Sequence, residues 1–165
     1  VLAKQAGCGR TPWHFDDHHF PLDTNDVVTA WAPAQPIPIE MGPLTFAYPI
    51  DIHKLVNTVT FEKTGTGYDR GVSDVFLKNN VSVNETPFEM GEVSFHHNLN
   101  FHSAPRNRTN RSRVALANTY YRDGARVVNA PTMVSGDWQK FMPDVEPGDV
   151  AASPLNPICW PVKNK

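Results

Sequence analysis

Residues 93–102 read Val-Ser-Phe-His-His-Asn-Leu-Asn-Phe-His, so polar and apolar side chains alternate along this stretch. Successive side chains of a β-strand point to opposite faces of its sheet. The two faces would then be Val93, Phe95, His97, Leu99 and Phe101, and Ser94, His96, Asn98, Asn100 and His102. The pattern predicts a strand over residues 91–101 in a barrel wall whose polar face lines a site. A polar face turned to solvent would give the same pattern.

Short alternating runs recur along the chain, separated by turn signals such as Glu146-Pro147-Gly148-Asp149. The chain has 15 prolines, and because proline breaks helix interiors, long helices are not expected. We predict strands at residues 1–6, 11–16, 26–33, 44–48, 58–62, 91–101 and 113–121, with short helices or loops at 50–57 and 69–80. This organisation predicts an all-β fold, a sandwich or a jelly-roll barrel with few short helices.

At 165 residues the chain is expected to form a single core domain. Residues 129–165 would form an irregular C-terminal extension or a lid, and the lack of an initiating Met suggests a piece of a longer chain. The net charge of -2 gives no reason to expect nucleic acid or an acidic membrane surface as a partner. Two cysteines, no apolar stretch long enough to span a bilayer and no visible signal peptide favour a reduced, cytoplasmic setting.

A candidate metal site begins with His14 and Asp16. Residues two apart in a strand share a face, so both would point the same way, opposite Trp13 and Phe15. Two imidazoles and one carboxylate are the set that binds non-heme Fe(II) and leaves further positions open. Without further support, a pair that faces solvent or is satisfied in a core is the better interpretation.

The second imidazole would come from residues 93–102. His102 lies at the end of the polar face, His96 lies on the same face as a competing candidate, and nothing local excludes it. His97 falls on the apolar face, where a satisfied core histidine is the better interpretation.

Arg113 begins the next alternating run, 11 residues after His102, and shares its predicted face with Ala115, Ala117 and Thr119. An inward arginine among small side chains leaves room for a carboxylate, which a guanidinium grips through two hydrogen bonds. The alternative is a salt bridge to one of the acidic residues of the chain.

Several stretches together resemble the phytanoyl-CoA dioxygenase family: Thr11-Pro12-Trp13-His14-Phe15-Asp16, Trp31, Met41-Gly42-Pro43-Leu44, Gly91-Glu92-Val93, Phe101-His102-Ser103-Ala104-Pro105-Arg106-Asn107 and Arg113. The resemblance covers roughly residues 1–125. It implies a double-stranded β-helix core, a catalytic Fe(II) held by His14, Asp16 and His102, and 2-oxoglutarate anchored by Arg113. Family members usually carry an N-terminal region before the first strand matched here.

The same resemblance places Trp31 beside the 2-oxoglutarate pocket. Many members carry Ser two residues after the distal histidine; here Ala104 stands there, and Ser103, one place earlier, is the candidate co-substrate contact. Members often have Gln inside the His-x-Asp triplet, where this chain has Phe15. Asp16 argues against a halogenase, because those enzymes replace the carboxylate to admit chloride.

The expected function is a dioxygenase that uses O2 and 2-oxoglutarate, with ascorbate in support, to hydroxylate a small organic substrate, releasing succinate and carbon dioxide. Trp13, His18 and Phe20 are candidates for the substrate side, and a surface loop is the alternative interpretation. Two other functions stay open at this point. One is a zinc-dependent, cupin-like hydrolase, and the other is a non-catalytic or truncated β-barrel binding module.

Overall fold

The computed structural model describes residues 1–60, 66–129, 131 and 138–160, and these divide into two compact units. The first unit contains residues 1–16 and 28–119, and the second contains residues 17–27 and the described residues from 120 onward. The single core domain and the extension or lid at 129–165 stay predictions, and residues 130, 132–137 and 161–165 of that extension lie outside the described residues.

The strands are β1 (Leu2–Lys4), β2 (Thr11–His14), β3 (Val27–Pro33), β4 (Thr45–Tyr48), β5 (Ser82–Glu85), β6 (Ser94–His97), β7 (His102–Ala104) and β8 (Arg113–Tyr121). One α-helix, α1 (Gly67–Lys78), and the 3-10 helices Asp16–His18, Ile39–Met41, Ile50–Lys54 and Trp138–Lys140 complete the described elements. Two four-stranded sheets have the orders β1-β8-β3-β6 and β2-β7-β4-β5, and the pairs of known register are antiparallel. The predicted all-β class is confirmed.

The first unit has a core cluster in which α1 packs against the strand that precedes the candidate site. Tyr68, Val72 and Phe76 are buried, and because they are four residues apart they form one helix face. The Phe76 ring packs edge-on against Trp13, with their centroids 5.1 Å apart. Phe101 also packs against Phe76, with the ring centroids 5.5 Å apart. This aromatic core anchors the ends of both β2 and β7.

The predicted strand over 91–101 is two short strands, β6 and β7, which belong to different sheets. The chain turns between them: the amide N–H of Asn100 bonds to the carbonyl of His97, and the Asn100 side chain donates to the carbonyl of Ala47 on β4. The prediction of one continuous strand was therefore wrong. The turn is held by the hydrogen bond from the Asn100 side chain to Ala47, which lies 53 positions away in the sequence.

The polar face of this stretch is the buried one: His96, Asn98, Asn100 and His102 are all at most 8% exposed. Phe95 on the predicted apolar face is 70% exposed. The expectation of a core position for His97 was therefore wrong; it is half-buried, and its Nδ1 accepts the N–H of Leu99. The inward polar face is what brings two histidines toward the interior of the first unit.

Other boundaries also differ from expectation. Residues 58–60 form no strand, and residues 61–62 of that predicted strand lie outside the described part. β5 was not predicted because all four of its residues are exposed and follow no alternation of apolar side chains. The helix predicted near 69–80 is α1, and residues 50–54 form one of the 3-10 helices.

The second unit has its own hydrophobic cluster, composed of Leu22, Val27, Val127, Trp138, Met142, Val145 and Ala151. The Tyr121 hydroxyl donates to the carbonyl of Ala151 at 2.6 Å. In the predicted extension Trp138 and Met142 are thus buried within this unit, and Phe141 is 69% exposed. Among the described residues, we find no helix with the length and apolar character needed to span a bilayer.

Candidate metal and co-substrate site

Three predicted ligands come together in the first unit. His14 ends β2, Asp16 is the first residue of the following 3-10 helix, and His102 begins β7 directly opposite His14. Asp16 Oδ1 lies 4.0 Å from His14 Nε2 and 3.5 Å from His102 Nε2. One ligand atom from each residue lies within 4.8 Å of the others, and among the described residues no other group of three such side chains does so.

The path that joins His14 to Asp16 differs from the predicted one. The strand ends at His14, and Asp16 belongs to the turn that follows. Trp13 and Phe15 are buried in the aromatic core, so this turn begins from a fixed position. The two ligands therefore converge through a turn anchored by aromatic packing rather than through strand alternation alone.

Backbone contacts fix the tautomers of both histidines. His14 Nδ1 lies 2.8 Å from the carbonyl of Pro12, and His102 Nδ1 lies 3.0 Å from the carbonyl of Asn100. A carbonyl oxygen only accepts hydrogen bonds, so each Nδ1 carries the proton and donates it. In its neutral form each ring presents the lone pair of its Nε2 to the site, as a metal ligand requires.

The charge states suit a cation as well. Burial alone would raise the pKa of Asp16, but the contact with His96 and the charges of His102 and His14 together lower it below its usual value. Burial and the neighbouring His14 lower the pKa of His102. At neutral pH the carboxylate is therefore ionised and His102 is neutral, which is the protonation state that binds a divalent metal.

A second set of contacts surrounds the other oxygen of Asp16. His96 Nε2 lies 3.6 Å from Asp16 Oδ2, and the Thr29 hydroxyl donates to the same oxygen at 3.4 Å. Thr29 also contacts the Thr119 hydroxyl at 3.0 Å. The sequence suggested His96 only as a competing ligand and did not indicate Thr29 at all.

Arg113 lies at the start of β8 and is 6% exposed. Its Nη1 donates to the carbonyl of Gly42 at 2.6 Å, and its guanidinium carbon lies 5.5 Å from the centre of the Trp31 ring. Its Nε is buried and has no hydrogen-bond partner among the described residues. Arg113 also forms no salt bridge with any of these residues. Trp31 and Arg113 thus lie together, as the resemblance implies, and a buried donor remains for an anion.

Sequence reasoning missed Lys4, which faces Arg113 across β1 and β8. Directly opposite residues of antiparallel strands project from the same face. Lys4 is 6% exposed, and its Nζ donates to the carbonyl of Gly9 at 2.6 Å and to the Thr11 hydroxyl at 3.3 Å. Burial, and then the charge of Arg113, lower the pKa of Lys4. Among the described residues neither Lys4 nor Arg113 forms a salt bridge with a carboxylate, and two such buried basic side chains are suited to bind an anion.

The remaining predicted residues lie elsewhere. Ser103 is buried on β7, opposite Thr45, and strand alternation puts it on the other face from His102. Trp13 belongs to the aromatic core. His18 and Phe20 belong to the second unit, where Phe20 packs against its hydrophobic cluster. The roles of these four residues stay predictions.

Gly42, whose carbonyl accepts from Arg113, lies close to the backbone of Pro105, and its replacement tests this close approach. Its φ is +73°, and a Cβ there would overlap the carbonyl oxygen of Pro105. We expect Gly42→Ala to lower the free energy of unfolding by about 2–5 kcal/mol, from the left-handed backbone and the overlap together. Urea denaturation measures the loss.

Gly7→Ala is the matched control. Gly7 has a similar φ of +69°, and a Cβ added there would meet no other atom within 4 Å. Its replacement should cost only the conformational part, about 1–2 kcal/mol. Equal losses for the two variants would contradict a close approach at Gly42.

The chain belongs to the phytanoyl-CoA dioxygenase (PhyH) family, whose sequence model matches residues 1–115. No curated protein matches the chain significantly.

Solved structures share its fold. The non-heme alpha ketoglutarate dependent carbocyclase SnoK from nogalamycin biosynthesis is 23% identical, with a TM-score of 0.70 over 93% of this chain and 57% of SnoK. The epimerase SnoN, in complex with Fe3+, alpha ketoglutarate and nogalamycin RO, is 20% identical, with a TM-score of 0.66 over 93% of this chain and 60% of SnoN. The non-heme monooxygenase ThoJ, in a nickel complex, is 18% identical, with a TM-score of 0.51 over 79% of this chain and 44% of ThoJ. This chain therefore spans less than two thirds of each, and the likeness confirms the predicted jelly-roll, cupin-like fold class.

Proposed function

We propose that this chain carries the catalytic core of an Fe(II)- and 2-oxoglutarate-dependent dioxygenase that hydroxylates a small organic substrate. The observation that carries the proposal is the convergence of His14, Asp16 and His102, with ligand atoms within 4.8 Å of one another. Two neutral imidazoles and an ionised carboxylate are a donor set that suits Fe(II). Family membership and the Fe3+ and alpha ketoglutarate bound by SnoN support the same chemistry.

The second requirement of this function is a binding site for 2-oxoglutarate, and the buried side chains of Arg113 and Lys4 would supply it. In this proposal the distal carboxylate of 2-oxoglutarate accepts from Arg113 Nε and neutralises the charges of Arg113 and Lys4. A zinc hydrolase would need the metal triad but no buried anion site, and a binding module would need neither. The pair of buried cations therefore favours the oxygenase over both alternatives.

Iron and 2-oxoglutarate, when bound, would activate O2 so that one oxygen atom leaves in succinate and the other enters the substrate as hydroxyl, with release of carbon dioxide. The protein's part is to hold and orient. Trp31 packs beside the guanidinium of Arg113 and belongs to a hydrophobic cluster that includes Phe46 and Phe88. These side chains would limit the access of water to the proposed anion site. Ascorbate would keep the metal reduced. A small-molecule substrate and a cytoplasmic setting remain sequence-based proposals.

Succinate formation tests the function. The purified chain, supplied with Fe(II), ascorbate, 2-oxoglutarate and O2, should form succinate above the background of His14→Ala. His97→Asn is the matched control, since His97 lies outside the triad and asparagine keeps an acceptor for the N–H of Leu99. We expect this variant to retain wild-type turnover.

Three results would count against the proposal. Succinate at the level of His14→Ala under these conditions would exclude the oxygenase reaction for this chain. Tight zinc binding with ester hydrolysis and no succinate would favour the hydrolase, and no metal binding at all would favour the binding module.

A further inference from the structure

We propose that His96 and Thr29 are positioning residues that hold Asp16 Oδ2, so that Asp16 binds the metal through Oδ1 alone. The inference rests on the proposed function, because it concerns the same metal site. It assigns His96 a role other than that of a ligand, and it gives Thr29 a role that the sequence does not suggest.

The two oxygens of Asp16 have different surroundings. Oδ1 faces His14 Nε2 at 4.0 Å and His102 Nε2 at 3.5 Å, so it lies on the side of the other two ligands. Oδ2 faces His96 Nε2 at 3.6 Å and receives the Thr29 hydroxyl at 3.4 Å. Each oxygen thus has a separate set of partners.

The direction of the contacts follows from their chemistry. The Nδ1 atoms of His14 and His102 are directed at backbone carbonyls, whereas Nδ1 of His96 is buried and has no hydrogen-bond partner among the described residues. An ionised carboxylate only accepts, so the proton of His96 is assigned to Nε2, which lies toward Oδ2. Thr29 donates its one hydroxyl proton to Oδ2, and it therefore accepts from the hydroxyl of Thr119. A histidine whose Nε2 proton is directed at the carboxylate has no lone pair on that nitrogen for a metal. His96 is consequently a donor to Asp16 rather than a third imidazole ligand.

His96 is held firmly enough to act as a fixed donor. It is 5% exposed, its ring lies 5.4 Å from that of Phe46, and it is 4.7 Å from the His102 ring. It lies on β6, which pairs with β3, and Thr29 and His96 are directly opposite each other in that pairing. One pair of facing residues from two strands therefore meets the same carboxylate oxygen.

The consequence concerns the number of open positions at the metal. Two imidazoles and one carboxylate oxygen fill three of the six positions of an octahedral ion. A second oxygen from Asp16 would fill a fourth position and leave two. Those two would be too few, since the co-substrate would bind through two atoms and O2 would need a position of its own. Holding Oδ2 away from the metal keeps the third position available.

Cobalt(II) provides the test, since its visible absorption reports the number and arrangement of ligands and its affinity can be measured by competition with a chromophoric chelator. His96→Leu removes the donor, and His96→Gln retains an N–H near the position of Nε2. We expect His96→Leu to weaken Co(II) binding by about 10–100-fold and to change the absorption spectrum. His96→Gln should remain within a few-fold of wild type and keep its spectrum.

His97→Asn is the control on the same strand, and it should match wild type in both readouts. Thr29→Val removes the second donor with little change in volume, so it should shift the spectrum in the same direction even if His96→Leu folds poorly. A purely structural role for His96 would lower stability in both His96 variants without rescue of the spectrum by glutamine.

The proposal is overturned if His96→Leu retains the wild-type affinity and spectrum, or if His96→Gln departs from wild type as far as His96→Leu does. The latter result would mean that His96 is a ligand or has a purely structural role, and a loss of stability in both variants would indicate the structural role. In either case wild-type succinate formation would still stand. A wild-type chain that binds no Co(II) would instead contradict the proposed function, and this inference with it.

Discussion

Asp16→Ala should reduce the affinity of the chain for Fe(II) by more than about 100-fold. Loss of a residue that only orients a ligand typically costs about 10–100-fold in metal affinity, and Asp16 supplies the only anionic ligand of the triad. Without it, two neutral imidazoles would have to hold a divalent cation. Anaerobic titration of the variant with Fe(II), against a chelating indicator, measures the loss.

Asp17→Ala is the matched control, because it removes a neighbouring carboxylate that is not part of the metal-ligand group. It should bind Fe(II) as wild type does. If Asp16→Ala also binds within about tenfold of wild type, which is about 1.4 kcal/mol, Asp16 is not a ligand and another side chain holds the metal. Succinate formation by Asp16→Ala would lead to the same conclusion.

The alternation of residues 93–102 grouped His96, Asn98, Asn100 and His102, which are all buried, because strand periodicity is a local property of the chain. It did not predict that Phe95 is exposed or that His97 is only half-buried. The same pattern could not reveal that β6 and β7 belong to different sheets. That break depends on the side chain of Asn100 meeting the carbonyl of Ala47 on another strand. A contact between segments so distant in sequence leaves no periodic signal.

The candidate site, like the strand over residues 93–102, was predictable only in part. The resemblance to the family implied His14, Asp16 and His102 as the ligand set, whereas the residues alone left His96 as an alternative to His102, and the structure brings the three implied ligands together. Lys4 gave no signal, since a lysine in a strand is ordinarily at the surface. Its burial follows from the pairing of Lys4 with Arg113, which lies at the opposite end of the sequence region matched by the family.

Arg113→Leu should weaken 2-oxoglutarate binding by about 2–5 kcal/mol, roughly 30-fold or more, as expected when one partner of a buried charge pair is truncated. Fe(II) affinity should remain near that of wild type, because Arg113 is not part of the metal group. Binding can be followed without turnover, through the ligand-dependent rise in melting temperature of the anaerobic Fe(II)-loaded chain. A wild-type shift in Arg113→Leu would contradict the assignment.

Comparison with 2-oxopentanoate, which lacks the distal carboxylate, shows whether Arg113 acts on that group. Wild type should bind 2-oxoglutarate much more tightly than 2-oxopentanoate, whereas Arg113→Leu should bind the two with similar affinity. Lys4→Met should reduce the preference for 2-oxoglutarate over 2-oxopentanoate by a smaller factor, because the Lys4 Nζ already donates to Gly9 and Thr11. If either substitution weakened both ligands equally, the residue would support the fold of the site rather than recognise the acid. A variant that binds 2-oxoglutarate more weakly but 2-oxopentanoate as well as wild type does has lost recognition of the distal carboxylate. General damage to β1 and β8 would instead weaken the binding of both ligands.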